Sequence, residues 1–288
     1  MEIRQLKYFV TSAELLNFTE AADRCFVTQG TLSQQIKQLE NELDILLFDR
    51  IGKRVRLTAA GKLFLPYARQ TILQSESAKL ILSDFKELKT GTICVGVSYA
   101  LTSYLTKGIA KFSRSYPQIH IEIILETSEV LLKLLDSGKV DFILSYSDIV
   151  DERQFEYNLL FQSSLSFVTN RNHSLSQKKQ VIFSQLKNEP LALPTKGFNT
   201  RRYLDKLYEK ENITPKIGLE VNDIATLLEI VKTGLWSTIL STSALMENTN
   251  DLIYIPIKEK GKLHNAYIIW AKSIYRKKAA ILLAESIN

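Results

Sequence analysis

Apolar positions in the N-terminal part of the chain recur at threes and fours. Leu6, Phe9, Val10 and Ala13 predict a helix over residues 3–14 with one inward face. Phe18 to Leu43, FTEAADRCFVTQGTLSQQIKQLENEL, then reads as two short helices meeting at a tight turn. In the first, Ala21, Ala22 and Cys25 are small and helically spaced, so another helix can approach closely. Phe26-Val27-Thr28 breaks the pattern, and Thr28 is a good N-cap for the second helix. That helix puts Leu32, Ile36, Leu39 and Leu43 on one face, at steps of 4, 3 and 4. Its opposite face carries Gln29, Thr31, Ser33, Gln34, Gln35, Lys37 and Gln38.

Between residues 50 and 57 the texture changes. Ile51, Val55 and Leu57 favour β structure and Gly52 permits a turn, so a two-stranded wing is expected there. From Thr58 to about Leu88 the helical period returns, with Leu65, Ala68, Ile72, Ser75, Ala78, Leu82 and Phe85 in one stripe. Such a stripe needs cover, either from the same helix of a second subunit or from the chain's own remaining domain. Pro66 interrupts the pattern near its start and is expected to bend the helix. Lys89-Thr90-Gly91 marks a boundary, which divides the chain into residues 1–58, 59–90 and 91–288.

Beyond Gly91 strands alternate with helices. Ile93–Ser98, Ile119–Leu125 and Val140–Ser145 read as strands, with helices over Leu101–Ser115 and Glu129–Asp136 between them. A second set follows: strands at Leu165–Thr169, Leu191–Leu193, Lys216–Val221 and Ser237–Leu240, helices over Thr200–Glu211 and Asp223–Lys232. A late strand at Tyr267–Trp270 and a closing helix over Lys277–Ile287 are expected to return to the first set. The order implies an α/β class with mainly parallel sheets and helices on both faces.

Composition narrows the function classes. An apolar content of 45% supports an ordinary buried core. Met1-Glu2-Ile3-Arg4 leads straight into the first helix, so no signal peptide is expected, and no apolar run approaches the ~18 residues a membrane span needs. Cys25 and Cys94 sit far apart and suit a reducing cytoplasm. His120, His173 and His264 are scattered singly, so neither metal nor cofactor is expected. The formal charge of +6 matters less than its placement. Arg50, Lys53, Arg54, Arg56, Lys62 and Arg69 lie between Arg50 and Ser75 without one acidic residue, a local phosphate-binding footprint.

Thr28, Gln29, Thr31, Ser33, Gln34 and Lys37 are the candidates to read DNA from the second helix of the pair. Gln, Ser and Thr side chains pair with base edges when a helix enters the major groove. An ordinary solvated face is the alternative, but such faces usually carry more Glu and Lys. From the wing, Arg50, Lys53, Arg54 and Arg56 can reach phosphate or the minor groove.

With these residues in place the chain closely resembles the LysR-type transcriptional regulators. Their motif appears here as Phe9, Phe18-Thr19, Ala21-Ala22, Thr28-Gln29, Leu32-Ser33, Gln35-Ile36, Leu39-Glu40, Leu43, Leu47-Phe48, Arg50 and Leu57-Thr58-x-Ala60-Gly61. Gly30 departs from the family's usual Pro, Ser or Ala, and Asp44 from its helix-ending Gly. The resemblance implies a winged helix-turn-helix domain and a long linker helix that makes the dimer. It further implies a bilobed effector domain of periplasmic-binding-protein architecture, with two crossings between the lobes. Implied partners are double-stranded DNA with dyad symmetry, a small-molecule effector and further copies of the chain, as homodimer or homotetramer.

In open α/β sheets ligands lie at carboxyl ends of strands and against helix N-termini. Those positions are Ser98, Tyr99, Ala100 and Thr102; Thr127 and Ser128; Ser145 and Tyr146. The second lobe adds Thr195, Gly197, Phe198, Thr200 and Arg201 from TKGFNTR, and Asn222. Hydroxyls with Lys196 and Arg201 as the cations suit a small anion. Each residue alone reads as well as a cap or turn residue. VNDIATLLEIVKTGLWSTILS resembles the family's second-lobe motif, with Trp236 and Ser241 as departures: the tryptophan narrows the cleft, stacks on a ligand or belongs to the core. No nucleophile elbow, phosphate loop or zinc motif is present, so catalysis is disfavoured. A solute-binding module and a nonspecific nucleoid-type protein remain the alternatives. Salt dependence combined with sequence preference separates them.

Overall fold

The computed structural model describes residues 1–51, 54–84, 90–147, 151–242, 251–258 and 264–287, with positions 50, 51, 54, 80, 83, 84 and 264 described by the backbone alone. Gly52, Lys53, Phe85 and Lys89 of the expectations above lie outside the described residues, as do the side chains of Arg50 and Arg54. The chain divides into two compact units.

The first unit is built on α1 (Ile3–Leu15), α2 (Phe18–Arg24), α3 (Gln29–Leu43), the antiparallel pair β1 (Phe48–Ile51) and β2 (Arg54–Leu57), and α4 (Ala59–Asp84). Each break in the apolar pattern starts a helix with a side-chain cap. Asn17 Oδ1 accepts from the Thr19 and Glu20 amides at 3.0 and 3.3 Å, and Thr28 Oγ1 from the Thr31 amide at 3.2 Å. α3 ends at Asp44 with φ 51°, so aspartate takes the left-handed position that the family's glycine would occupy. Gly30 answers no packing demand: a Cβ there would meet only Thr28 Oγ1, at 4.0 Å. Leu6, Phe9, Leu32, Ile36 and Leu39 fill the core, where the Phe48 ring stands against Phe9 and Phe18 at 5.5 and 5.2 Å between centroids.

α4 continues through Pro66 without a break, and its stripe splits. Leu65, Ala68 and Ile72 pack on the core of their own unit, with α4 lying against α1. This part of the stripe is thus covered by the first unit itself and by neither of the two expected covers. Ala78 and Leu82 are exposed within this unit, and so are Leu63 and Tyr67 on other faces of the helix.

The second unit has two lobes. In the first, β3 (Gly91–Val97), β4 (Ile119–Leu125) and β5 (Phe142–Tyr146) are parallel, and β6 (Phe155–Ser163) and β12 (His264–Ala271) complete a sheet of order β4-β3-β5-β12-β6. β12 runs antiparallel to both of its neighbours. α5 (Thr102–Ser115), α6 (Ser128–Asp136) and α9 (Lys278–Ile287) cover it, so the closing helix does return to the first set.

The second lobe departs from the expected parallel set. β7 (Leu165–Asn170) lies between β10 (Thr238–Ser241) and β11 (Leu252–Pro256), antiparallel to both. Among its described strands β8 (Leu191–Pro194) and β9 (Ile217–Val221) pair in parallel, single parallel bridges join Leu191 to Ser237 and Val181 to Ile257, and α7 (Asn199–Lys210) and α8 (Ile224–Lys232) pack beside β8 and β9. β6 and β11 were not expected from the pattern. Both lie at sheet edges, and neither alternates apolar with polar positions: Leu159, Leu160 and Phe161 run together in β6, and β11 is apolar almost throughout. The chain crosses between lobes from β6 to β7 and from β11 to β12.

Candidate functional site

Two arrangements of side chains concern function. On α3, Leu32, Ile36 and Leu39 are buried, which turns Gln29, Thr31, Gln34 and Lys37 outward; all four are exposed, and Ser33 is half-buried beside them. Thr28 is exposed as well, but its hydroxyl is shared with Thr31 Oγ1 at 2.8 Å besides capping the helix. Gln35 and Gln38 bond to each other at 3.0 Å. Across the wing Arg56 is exposed and stands opposite Asp49, while Arg50 pairs with Val55 and Arg54 with Ile51 in the backbone register.

The wing is fixed to α3 by a residue that the apolar pattern does not reveal. Glu40 is buried on α3 and its carboxylate accepts from the Leu47 and Phe48 amides at 2.8 and 3.1 Å. A hydrogen-bonded buried carboxylate of this kind holds two otherwise orphaned donors. The Leu47 carbonyl in turn accepts from the Thr58 amide at 3.0 Å, and a Cβ on Gly61 would strike that carbonyl oxygen at 2.2 Å. Only glycine lets α4 start this close.

The second arrangement lies between the lobes of the effector unit. Ser98, Tyr99, Ala100, Thr127, Ser128, Tyr146, Phe198 and Thr200 line one small cavity of about 20 Å³. The structure adds Glu126 and Asn199, which the strand-end rule missed. Tyr99 and Phe198 face each other across the cleft at 5.0 Å between ring centroids. The Ser98 hydroxyl is buried and has no hydrogen-bond partner among the described residues. Ser145 is buried behind the wall and bonds Ser128 Oγ and, at 3.1 Å, the Tyr146 carbonyl.

Asn199 closes the cleft. Its Nδ2 donates to Ser128 Oγ and to the Tyr146 carbonyl, both in the opposite lobe, and Arg202 pairs with Glu129 beside it. Behind this bridge opens a larger chamber of about 430 Å³, lined by Leu132, Phe155, Tyr157, Asp151 and Lys206 among others. Ser128, Tyr146 and Asn199 belong to both cavities, so the bridge is the partition between them.

Several expected residues are not brought to the cavity. Thr102 donates to the Tyr99 carbonyl at 2.8 Å. Thr195 turns the chain with its amide on the Val221 carbonyl at 3.0 Å, and Asn222 is exposed, while Gly197 is exposed at the cleft's edge, where a Cβ would stand 3.2 Å from Thr127 Cγ2. Arg201 is only 3% exposed and its guanidinium is spent: Nε on Asp205 at 2.8 Å, Nη1 on Glu220 and, at 2.9 Å, on the Pro194 carbonyl. Burial works against its charge, but hydrogen bonds to Asp205 and Glu220 outweigh it and raise its pKa above the ordinary value. It lines an open depression together with Lys196, outside the inter-lobe cavity. The expected cations are therefore absent from the small cavity, and a carboxylate, Glu126, is present.

Trp236 packs its ring over Gly218 of β9, where a Cβ would stand 2.3 Å from it, so the tryptophan belongs to the core of the second lobe. Ser241 is buried between Tyr146 and Ser163. Burial pushes the Cys94 thiol up, away from the reactive range. Among the described residues no group of His, Cys, Asp and Glu could hold a metal ion, and no helix is long and apolar enough to cross a membrane.

Residues 3–62 match the bacterial regulatory helix-turn-helix protein family, lysR type, and residues 86–288 match the LysR substrate binding domain. The chain is 29% identical over 285 residues to the uncharacterized HTH-type transcriptional regulator YnfL of Escherichia coli (strain K12), covering 97% of this chain and 95% of that one. With the uncharacterized HTH-type transcriptional regulator YwqM of Bacillus subtilis (strain 168) it shares 32% identity over 246 residues, 83% of this chain and 82% of that one. Among solved structures it resembles a full-length OxyR variant from Pseudomonas aeruginosa, with a TM-score of 0.75, 26% identity and coverage of 100% and 94%. CbnR complexed with its target DNA shares the fold, with a TM-score of 0.63, 24% identity and coverage of 100% and 99%.

Proposed function

The chain belongs to the LysR family of transcriptional regulators, not to an enzyme family, and from that premise we propose how its residues divide the work. α3 enters the major groove and reads base edges through Gln29, Thr31, Ser33 and Gln34, with Thr28 and Lys37 at its margins. The wing, with Arg50, Lys53, Arg54 and Arg56, holds the phosphate backbone and sets register. The carrying observation is the outward face of α3, exposed, uncharged but for Lys37 and rich in two-way hydrogen-bonding groups. The fold shared with CbnR in its DNA complex supports this docking.

The division into reading head (1–58), linker helix (59–90) and effector domain (91–288) follows the same reading. α4 pairs two copies through the apolar positions its own unit leaves uncovered, Leu82 foremost, and paired heads read half-sites with dyad symmetry. The effector domains are able to associate further, so the assembly is a homodimer or a homotetramer. A small molecule binds between the lobes at Ser98, Thr127, Ser128 and Thr200, favours one lobe arrangement and so shifts the heads on DNA. The protein works in the cytoplasm, where its DNA is.

Footprinting across the DNA adjoining its own coding region, at two salt concentrations, tests this reading. A protected site with dyad symmetry is expected. Equal protection of every duplex, or none, would overturn it.

A further inference from the structure

The small cavity holds acceptors where Asn199 now donates and a donor that has nothing to bind. The Asn199 Nδ2 is held by Ser128 Oγ and the Tyr146 carbonyl, and Glu126 lies in the same wall. Oxygen acceptors with a carboxylate in the same wall suit a cationic nitrogen, and the cation beside them, Arg202, which donates to Asn199 Oδ1, is paired with Glu129. The opposite need is met nearby. Ser98 is 8% exposed and lies in the cavity wall, its Oγ is buried and unpartnered among the described residues, and α6 and α7 begin at Ser128 and Asn199 beside it. A hydroxyl donor at helix N-termini suits a carboxylate. Beyond the partition, Leu132, Phe155 and Tyr157 offer an apolar chamber. Its charges stand in opposition, with Arg202 paired to Glu129, and Lys206 and Asp151 in the same lining.

We propose that the effector is an amino acid with an apolar side chain. Its ammonium replaces the Asn199 amide against Tyr146 and Ser128, its carboxylate meets Ser98, and its side chain fills the chamber past the partition. The proposal rests on the inter-lobe site proposed above and names the ligand class for it. At about 20 Å³ the small cavity admits no more than about one water as it stands, so Asn199 must be displaced for the ligand to enter. Asn199 is then one of the residues that hold the cleft closed.

Calorimetry on the full chain compares the standard amino acids with 3-phenylpropionate and phenethylamine, which keep the body of phenylalanine and lose one charged end each. At least one apolar amino acid is expected to bind, with its deaminated or decarboxylated analogue weaker by about tenfold or more. Glu126→Gln should weaken the amino acid and its amine and spare the acid, whereas Ser98→Ala should weaken the amino acid and the acid and spare the amine. Asn199→Ala should tighten amino-acid binding, since no bridge is then displaced. An acid that binds as well as its amino acid, in a manner lost with Ser98→Ala, overturns the zwitterion and leaves the inter-lobe site standing. Saturable amino-acid binding indifferent to all three substitutions overturns the inter-lobe site itself. Absence of heat from every amino acid overturns the proposal.

Discussion

The phenolic hydroxyl of Tyr146 and the Oγ of Ser241 lie 2.8 Å apart, joining the carboxyl end of β5 in one lobe to that of β10 in the other. Ser241 Oγ also lies 2.7 Å from Ser163 Oγ, at the point where the chain leaves the first lobe. The lobes are thus joined by hydroxyls at a crossing. Removing either end of the Tyr146–Ser241 bond should cost about 1 kcal/mol. In urea, Tyr146→Phe and Ser241→Ala should each lower the unfolding midpoint. The double variant should fall short of their sum by about 0.5 kcal/mol or more, and strict additivity would show that the pair does not interact.

On the reading face the two classes of contact should separate. Gln34→Ala is expected to cost about 1–3 kcal/mol at the specific site and to relax its sequence preference. Arg56→Ala should weaken specific and random duplexes alike and reduce the salt slope by about one. Titrations at several salt concentrations distinguish the two. Wild-type behaviour in both variants would remove this face from the interface.

For α4, the split stripe predicts different failures along one helix. Leu82 is 69% exposed and Ile72 packs on its own unit's core. Leu82→Asp should leave the helical signal intact and shift sedimentation toward monomer. Ile72→Asp should instead lower thermal stability by burying a charge. A fully dimeric Leu82→Asp protein would mean that other positions carry the pairing.

Arg201 bears on stability rather than on ligand. Arg201→Ala strips the partner from Asp205 and Glu220, both open enough to be rehydrated, so a loss of about 1–3 kcal/mol is expected. Arg201→Lys should not restore it, because one ammonium cannot serve two carboxylates and a carbonyl in the geometry of the guanidinium. Effector affinity of the folded variant should be unchanged.

Asp223 caps α8, accepting from the Thr226 amide at 2.7 Å, and hydrogen bonds from Thr226 lower its pKa below the ordinary 3.8. The cap's contribution, about 1 kcal/mol, is therefore complete above pH ~4 and fades as pH falls through the lowered folded-state value. The stability gap between wild type and Asp223→Ala should be constant near neutrality and close in acid. A gap that persists fully at pH ~2 would place the effect outside the carboxylate.

Local signals carried much of this fold into the sequence. The reading head follows from caps and periodicity within a few residues: Asn17 and Thr28 sit where the apolar pattern breaks, and Leu32, Ile36 and Leu39 where it resumes. The cavity was half legible for the same reason, since Ser98, Thr127 and Thr200 are adjacent to strand ends or helix starts. Arg201 was misplaced because a position at a helix start does not say which way the side chain turns. Its spacing to Leu204 and Tyr208, three and seven residues on, was the available sign that it shares their buried face. Asn199 acts on partners in the facing lobe, and Glu40 on two amides beyond the end of its own helix. No local pattern marks such pairings.

The Leu47 peptide, gripped by Glu40 on one side and by Thr58 and the start of α4 on the other, has a consequence for DNA shape. In the proposed dimer on DNA, reading helix, wing and the start of the linker helix are tied together at this one peptide. The angle at which two linker helices cross then sets how sharply the duplex must curve to engage both heads. An operator's intrinsic bendability between half-sites should therefore tune affinity at base pairs that no side chain touches.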